Sequence, residues 1–158
     1  MILLMLLSLI FLSCGEEKYG VLPFEGRDAQ AICEVNEKFT VEICREGEVC
    51  TLTVIAPSEI EGVVFSFSDK GDCMMLDNTA VPVSRENMQG IYALASVFNI
   101  NEAMMTSASS IDGTGMLCFI REDTEYTLQF DREGDITGAK IIGEGYEYTL
   151  EFSLLQIK

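Results

Sequence analysis

From Ala31 to Leu154, apolar and polar residues alternate step by step in run after run. A period of two places successive side chains on opposite faces, so each run reads as a strand with one buried face. Ala31, Cys33 and Val35 share a face, followed across Asn36-Glu37-Lys38 by Phe39, Val41 and Ile43. Cys50, Leu52 and Val54 come next, and Pro57, which cannot donate to a ladder, ends that strand. Val63, Phe65 and Phe67 open another hairpin whose turn is Ser68–Asp72, and Cys73–Leu76 and Ala80–Val83 read as short strands. The pattern returns at Met116–Ile120, at Tyr126, Leu128 and Phe130, at Ile136–Ile142, and at Tyr146, Tyr148, Leu150, Phe152 and Leu154.

Only one stretch breaks this rhythm in favour of a helix. Met88, Ile91, Tyr92, Ala95 and Phe98 form an apolar stripe at helical spacing, so a helix is expected over about 85–99, with Ser84 as N-cap. Gly90 weakens that helix and points to close packing there. Residues 101–112 fit either a frayed end or a further strand. The expected class is therefore α+β, mostly β: a curved antiparallel sheet of about 9–11 strands with one principal helix packed in or over it. One such helix is too small to cover so many one-sided strands. The sheet must curl on itself or leave an apolar concavity.

Residues 1–13 (MILLMLLSLIFLS) carry no charge, and only Ser8 and Ser13 are polar. As a helix they reach about 20 Å, short of the ~30 Å hydrocarbon core, which is the length of a signal-peptide apolar region. Ile10-Phe11-Leu12-Ser13-Cys14-Gly15 resembles a bacterial lipobox. That resemblance implies cleavage before Cys14 and lipid attachment to its sulfur, hence a membrane-anchored protein on the extracytoplasmic side. Phe11 stands where Leu is commoner, and no Lys or Arg precedes the run. The expected organisation is a lipoprotein signal peptide at 1–13, a lipidated tether at 14–28, and one domain at 29–158.

Five cysteines follow Cys14: Cys33, Cys44, Cys50, Cys73 and Cys118. A Cys44–Cys50 staple needs a three-residue hairpin loop, which would set Val41 against Thr53. Loops of two or four residues keep the apolar faces together and put the two sulfurs on opposite faces, so this bridge is not expected. Cys33, Cys50 and Cys118 read as small buried or half-buried thiols.

The chain pairs 10 Lys+Arg with 26 Asp+Glu, for a net charge of −16, and contains no His. Nucleic acid is excluded as a partner, because binding it requires cations that displace counterions. Without His there is no Ser-His or Cys-His nucleophile and no near-neutral base. Ser107, Ser109 and Ser110 have no activating neighbour in the sequence. Asp69–Asp72, Asp112-Gly113-Thr114-Gly115 and Asp131–Asp135 lack calcium-loop spacing and read as turns. No catalytic set, metal site or cofactor is expected.

The paired opening hairpins, the link Ala56-Pro57-Ser58-Glu59-Ile60-Glu61-Gly62 into Val63–Ser68, the mid-chain helix and the closing Tyr126–Asp131, Asp135–Gly143 and Tyr146–Phe152 meander together resemble the bacterial lipoprotein-carrier superfamily, LolA/LolB-like, and the small Gram-positive lipoproteins that share its half-barrel. The resemblance covers about Ala29–Phe152. It implies a cup made by the sheet, a helical lid, and an apolar interior that accepts acyl chains. On that reading Phe39, Val41, Ile43, Leu52, Val54, Phe65 and Phe67 line the cup, and Met88, Ile91 and Tyr92 sit on the lid. Met74, Met75, Met104, Met105 and Met116 add adaptable side chains. The same residues also fit a closed core, in which case the protein would act as an adaptor for an envelope protein through its acidic surface.

Overall fold

The computed structural model describes residues 22–111 and 113–158. The apolar run at 1–13, Cys14, the tether as far as residue 21, and Asp112 lie outside the described residues.

The eleven strands are β1 (Ala29–Val35), β2 (Phe39–Glu46), β3 (Val49–Ala56), β4 (Val64–Phe67), β5 (Cys73–Leu76), β6 (Thr79–Pro82), β7 (Met105–Ile111), β8 (Thr114–Arg121), β9 (Thr124–Phe130), β10 (Ile136–Gly143) and β11 (Tyr146–Ile157). All belong to one antiparallel sheet, ordered β6-β5-β4-β3-β2-β1-β11-β10-β9-β8-β7. The first and last strands pair in the middle, from Ala29 opposite Ile157 to Val35 opposite Leu150. Two meanders therefore run outward from a central seam, and β6 and β7 are left as open edges. The sheet is the open, curved, mostly-β architecture that the alternation dictates.

Strand by strand, the buried face is the one the period selects. In β2, Val41 and Ile43 are buried; in β3, Cys50, Leu52 and Val54 are buried. Ile43 lies opposite Leu52 and Val41 opposite Val54, so the apolar faces coincide. Cys44 then faces Thr51 and Cys50 faces Arg45, and the two sulfurs sit on opposite sides of the sheet. Cys33 is buried and Cys118 half-buried. Burial pushes the Cys33 thiol up to about 12, which leaves it inert as a nucleophile near neutral pH.

Two expectations about boundaries need correction. The helix is not continuous over 85–99. Arg85–Met88 forms a 3₁₀ turn, α1 spans only Gln89–Ala95, and Val97–Asn99 closes with another 3₁₀ turn. Ser84 makes no capping bond through its side chain. Its carbonyl instead accepts from Asn87 N at 3.0 Å, which tightens the entry into 3₁₀ geometry. Asp72 fixes this corner, since its carbonyl accepts from Val83 N and its carboxylate from Arg85. The domain also begins earlier than residue 29. Leu22 and Phe24 are buried in the core, and Phe24 packs edge-on against Phe98 at 5.3 Å, so the polar residues around them do not make this stretch a free tether.

A bulge resets the last strand. Between Ile32 and Cys33 the register with β11 shifts, and Ser153 Oγ donates to Ile32 O at 3.0 Å. Beyond that point Leu155 and Ile157 take the inner face, and Leu154 turns outward. The ambiguous 101–111 region resolves as a 3₁₀ turn, Glu102–Met104, followed by the fully exposed edge strand β7.

Candidate functional site

The inner face of the sheet gathers most of the residues that the cup reading names. Val41, Ile43, Leu52, Val54, Phe65 and Phe67 are all buried and join one apolar cluster. Phe39 does not belong with them. It sits at the first position of β2, opposite Val35 and beside the hairpin turn, and 40% of it is exposed. Its parity is inward, but it lies at the strand end beside the β1–β2 turn. Met74 and Met104 pack against the cluster, whereas Met105 is exposed on the edge strand.

The second meander contributes as much as the first. Leu117, Phe119, Tyr126, Leu128, Ile136, Ala139, Ile141 and Leu150 are buried on the same face. The sequence reading drew its lining residues from the first half alone, although the same period of two marks these strands.

α1 crosses this face and packs against β2, β3, β4, β10 and β11, so it touches both meanders. Ala93, Leu94 and Ala95 are buried, as are Ser96, Val97 and Phe98 just after it. Met88, Ile91 and Tyr92 are half-buried over the cluster. A Cβ at Gly90 would stand 2.7 Å from Tyr148 Oη and 3.2 Å from Tyr146 Cγ, so a side chain there requires the two tyrosines of β11 to shift. In this arrangement the concave side is filled by the chain's own helix.

Polar groups hold α1 from both halves. Arg45 Nη1, inward-facing at the end of β2, donates to Phe98 O at 3.0 Å. Tyr126 Oη donates to Ala93 O at 3.4 Å, and burial pushes this phenol up to about 12, so it stays a neutral donor. Two guanidinium groups meet Tyr92, with Arg85 at 4.4 Å and Arg121 at 5.3 Å from its ring centroid. Arg121 Nη2 also donates to Tyr92 Oη. Beside this contact a cavity of about 110 Å³ opens between α1 and the β8–β9 turn, with Arg121, Thr124 and Tyr126 in its wall.

Sequence reading missed the arginines. Arg121 shares its parity with the buried Leu117 and Phe119, and Arg45 with Val41 and Ile43, so an inward-facing cation at a strand end was the available signal. No helix among the described residues is long and apolar enough to cross a membrane. Among the described residues, no group of three or more Cys, Asp or Glu is placed to hold a metal ion. The turn carboxylates close their own loops instead: Asp131 Oδ1 accepts from Glu133 N and Asp135 N, both at 2.9 Å.

No known family model matches the chain, and no curated protein matches it in sequence. Among solved structures, an uncharacterized conserved protein from Thermus thermophilus is similar with a TM-score of 0.46 and 9% identity, over 83% of this chain and 78% of that one. A LolA superfamily protein from Nitrosomonas europaea is similar with a TM-score of 0.40 and 9% identity, over 84% of each chain. At this level of likeness, what those proteins do does not transfer to this chain.

Proposed function

We propose that this is a lipid-anchored extracytoplasmic protein that binds an apolar ligand, a lipid or acyl chain, between the concave sheet face and α1, and that it acts by binding rather than by catalysis. The observation that carries this reading is the mismatch between sheet and cover. Eight of the eleven strands, β1–β4 and β8–β11, bury residues on one face, and a seven-residue α-helix with its flanking turns packs over it. A helix of about two turns has little stability of its own and is held by packing alone. Displacing it would expose a large apolar surface that a hydrocarbon chain can cover at little net cost. Met74, Met88 and Met104, whose unbranched side chains adapt to irregular occupants, pack against this cluster. The anchor rests on the lipobox-like Ile10–Gly15 and on Cys14.

Two measurements test the two parts separately. Cys14→Ala is expected to release the protein from membranes of the expressing cell; retention equal to that of the parent would refute the anchor. For the ligand, native mass spectrometry of the purified chain, together with titration by a fluorescent fatty acid, is expected to show stoichiometric binding. A chain that carries no lipid and binds no probe would overturn this reading and favour an adaptor whose acidic surface contacts an envelope protein.

A further inference from the structure

The two edges of the sheet are built differently. β6 has four residues, the last of them Pro82, and Val83 N beyond it is bonded back to Asp72 O. Proline has no amide to give to a further strand, so this edge is short and blunted. β7 has seven residues, and all of them are exposed. The run MTSASSI contains no charged residue and no proline. Short length, proline and lysine are the usual devices that keep an edge from taking up another chain, and β7 has none of them. Its register with β8 shifts once, between Met105 and Ser107, where Thr106 Oγ1 donates to Cys118 O at 3.2 Å. From Ser107 to Ile111 the pairing is regular, opposite Cys118 to Thr114. Along this stretch alternate residues direct their N–H and C=O groups away from β8, and among the described residues no strand pairs with them.

Such an edge is filled by an extended segment that exchanges main-chain hydrogen bonds with it. Ser107, Ala108, Ser109 and Ser110 are small and place little demand on the side chains of that segment. Charge places a stronger one. Met105 lies opposite Phe119, so β7 starts at the end of the sheet that holds the β8–β9 turn, whose Glu122 and Asp123 are exposed. Glu102, just ahead of β7, is also exposed, and its N donates to the Glu25 carboxylate at 3.3 Å. Arg121 is the cation at this end, half-buried and bonded to Tyr92 Oη. At the other end, where Ile111 lies opposite Thr114, Arg132 stands beside Gly113. A second copy of the chain would bring another net charge of −16 against this one, which opposes self-pairing. We infer that β7 takes up an extended segment of a cationic partner protein. The segment runs antiparallel to β7, as β8 does on the other side, and Lys or Arg follow its last paired residue, at the acidic start of β7.

The test uses two fluorescently labelled peptides of one composition, each with blocked ends: Thr-Val-Thr-Val-Thr-Lys-Lys and Lys-Lys-Thr-Val-Thr-Val-Thr. Their general attraction to an acidic protein is the same, and only the position of the charge differs. Titrated with the full chain in about 0.1 M salt, the first is expected to bind with a Kd of about 100 μM or tighter, and at least about threefold more tightly than the second. N-methylation of its two valines and N-methylation of its last two threonines put the methyl groups on opposite edges of the bound strand. One pattern is expected to weaken binding at least about tenfold and the other less than about threefold. Equal binding of the two lysine orders would overturn the assigned direction and charge of the partner. Equal effects of the two methylation patterns would overturn strand addition at β7. No binding at about 1 mM peptide would overturn the cationic partner. Protection of the β7 amides from hydrogen exchange that grows with the concentration of the chain alone would replace that partner with a second copy. Every comparison uses the parent chain, so none depends on a variant that folds.

Discussion

Tyr92 meets two arginines, and they differ in one respect: among the described residues, only Arg85 has a counter-ion. Arg85 donates Nη2 to Asp72 Oδ1 at 2.8 Å and Nε to Asp72 Oδ2 at 2.9 Å, a two-pronged pair that ties the β4–β5 turn to the start of the helical segment. Arg121, at the end of β8, reaches the same ring from the other meander and makes no ion pair among the described residues. Both cations steady the ring. The first directs Nε and Nη2 at Asp72, which makes it a clamp. The second donates Nη2 to Tyr92 Oη and keeps a shielded Nη1 without a hydrogen-bond partner.

Substitutions can break this comparison in order of size. Tyr92→Leu keeps an apolar body on α1 but removes both cation–π contacts and the hydroxyl that Arg121 binds. A loss of about 2 kcal/mol is expected in urea unfolding, and an unchanged midpoint would mean that Tyr92 does not join the two halves. Asp72→Ala leaves Arg85 without its pair and Ser68 N without its carboxylate acceptor. Because 41% of the Arg85 side chain is exposed, solvent discounts the ion pair, and about 1 kcal/mol is expected. Arg121→Met should cost less than either, about 0.5 kcal/mol, since the lost contacts are offset by removing a desolvated donor. A larger loss for Arg121→Met than for Asp72→Ala would make Arg121, and not Arg85, the stronger clamp on Tyr92.

Much of this was legible in the sequence, and the gaps have physical causes. Period two marks β1–β4 and β8–β11 because each strand has one wet and one buried face, so the sheet and its inner residues follow directly. Leu154 went astray because a bulge at Ser153 inserts one residue, and parity cannot register an insertion. Ser84 has the right chemistry for a cap, yet tertiary contacts of Asp72 and Arg85 set the backbone there, and no local rule contains them. Phe24 was hidden among glycines and charges, and its burial depends on Phe98, far along the chain. Phe39 obeys its parity but stands at the rim, and alternation carries no information about how far the cover extends. Arg121 was readable as an inward cation. Its missing partner was not, because pairing in space is settled only when the turn at β8–β9 meets α1.

The clamp also predicts a dependence on pH. Donation from Arg85 holds the Asp72 carboxyl below the ordinary carboxylate range, outweighing a smaller opposing effect of burial, and Ser68 N adds a bond at 3.2 Å. A carboxyl whose folded pKa is depressed binds protons more readily in the unfolded chain. Its contribution to stability is therefore fully present above the unfolded value of about 3.9 and is lost as pH falls through the lower folded value. The difference in unfolding free energy between the parent and Asp72→Asn should accordingly be constant from about pH 7 to pH 5 and shrink below about pH 4. Among the described residues Arg121 makes no ion pair, so the difference between the parent and Arg121→Met should stay flatter across the same range. A parent–Asp72→Asn difference that stays constant to the acid limit would show that the Asp72 charge contributes nothing. The contrast between the two arginines at Tyr92 would then rest on shape alone.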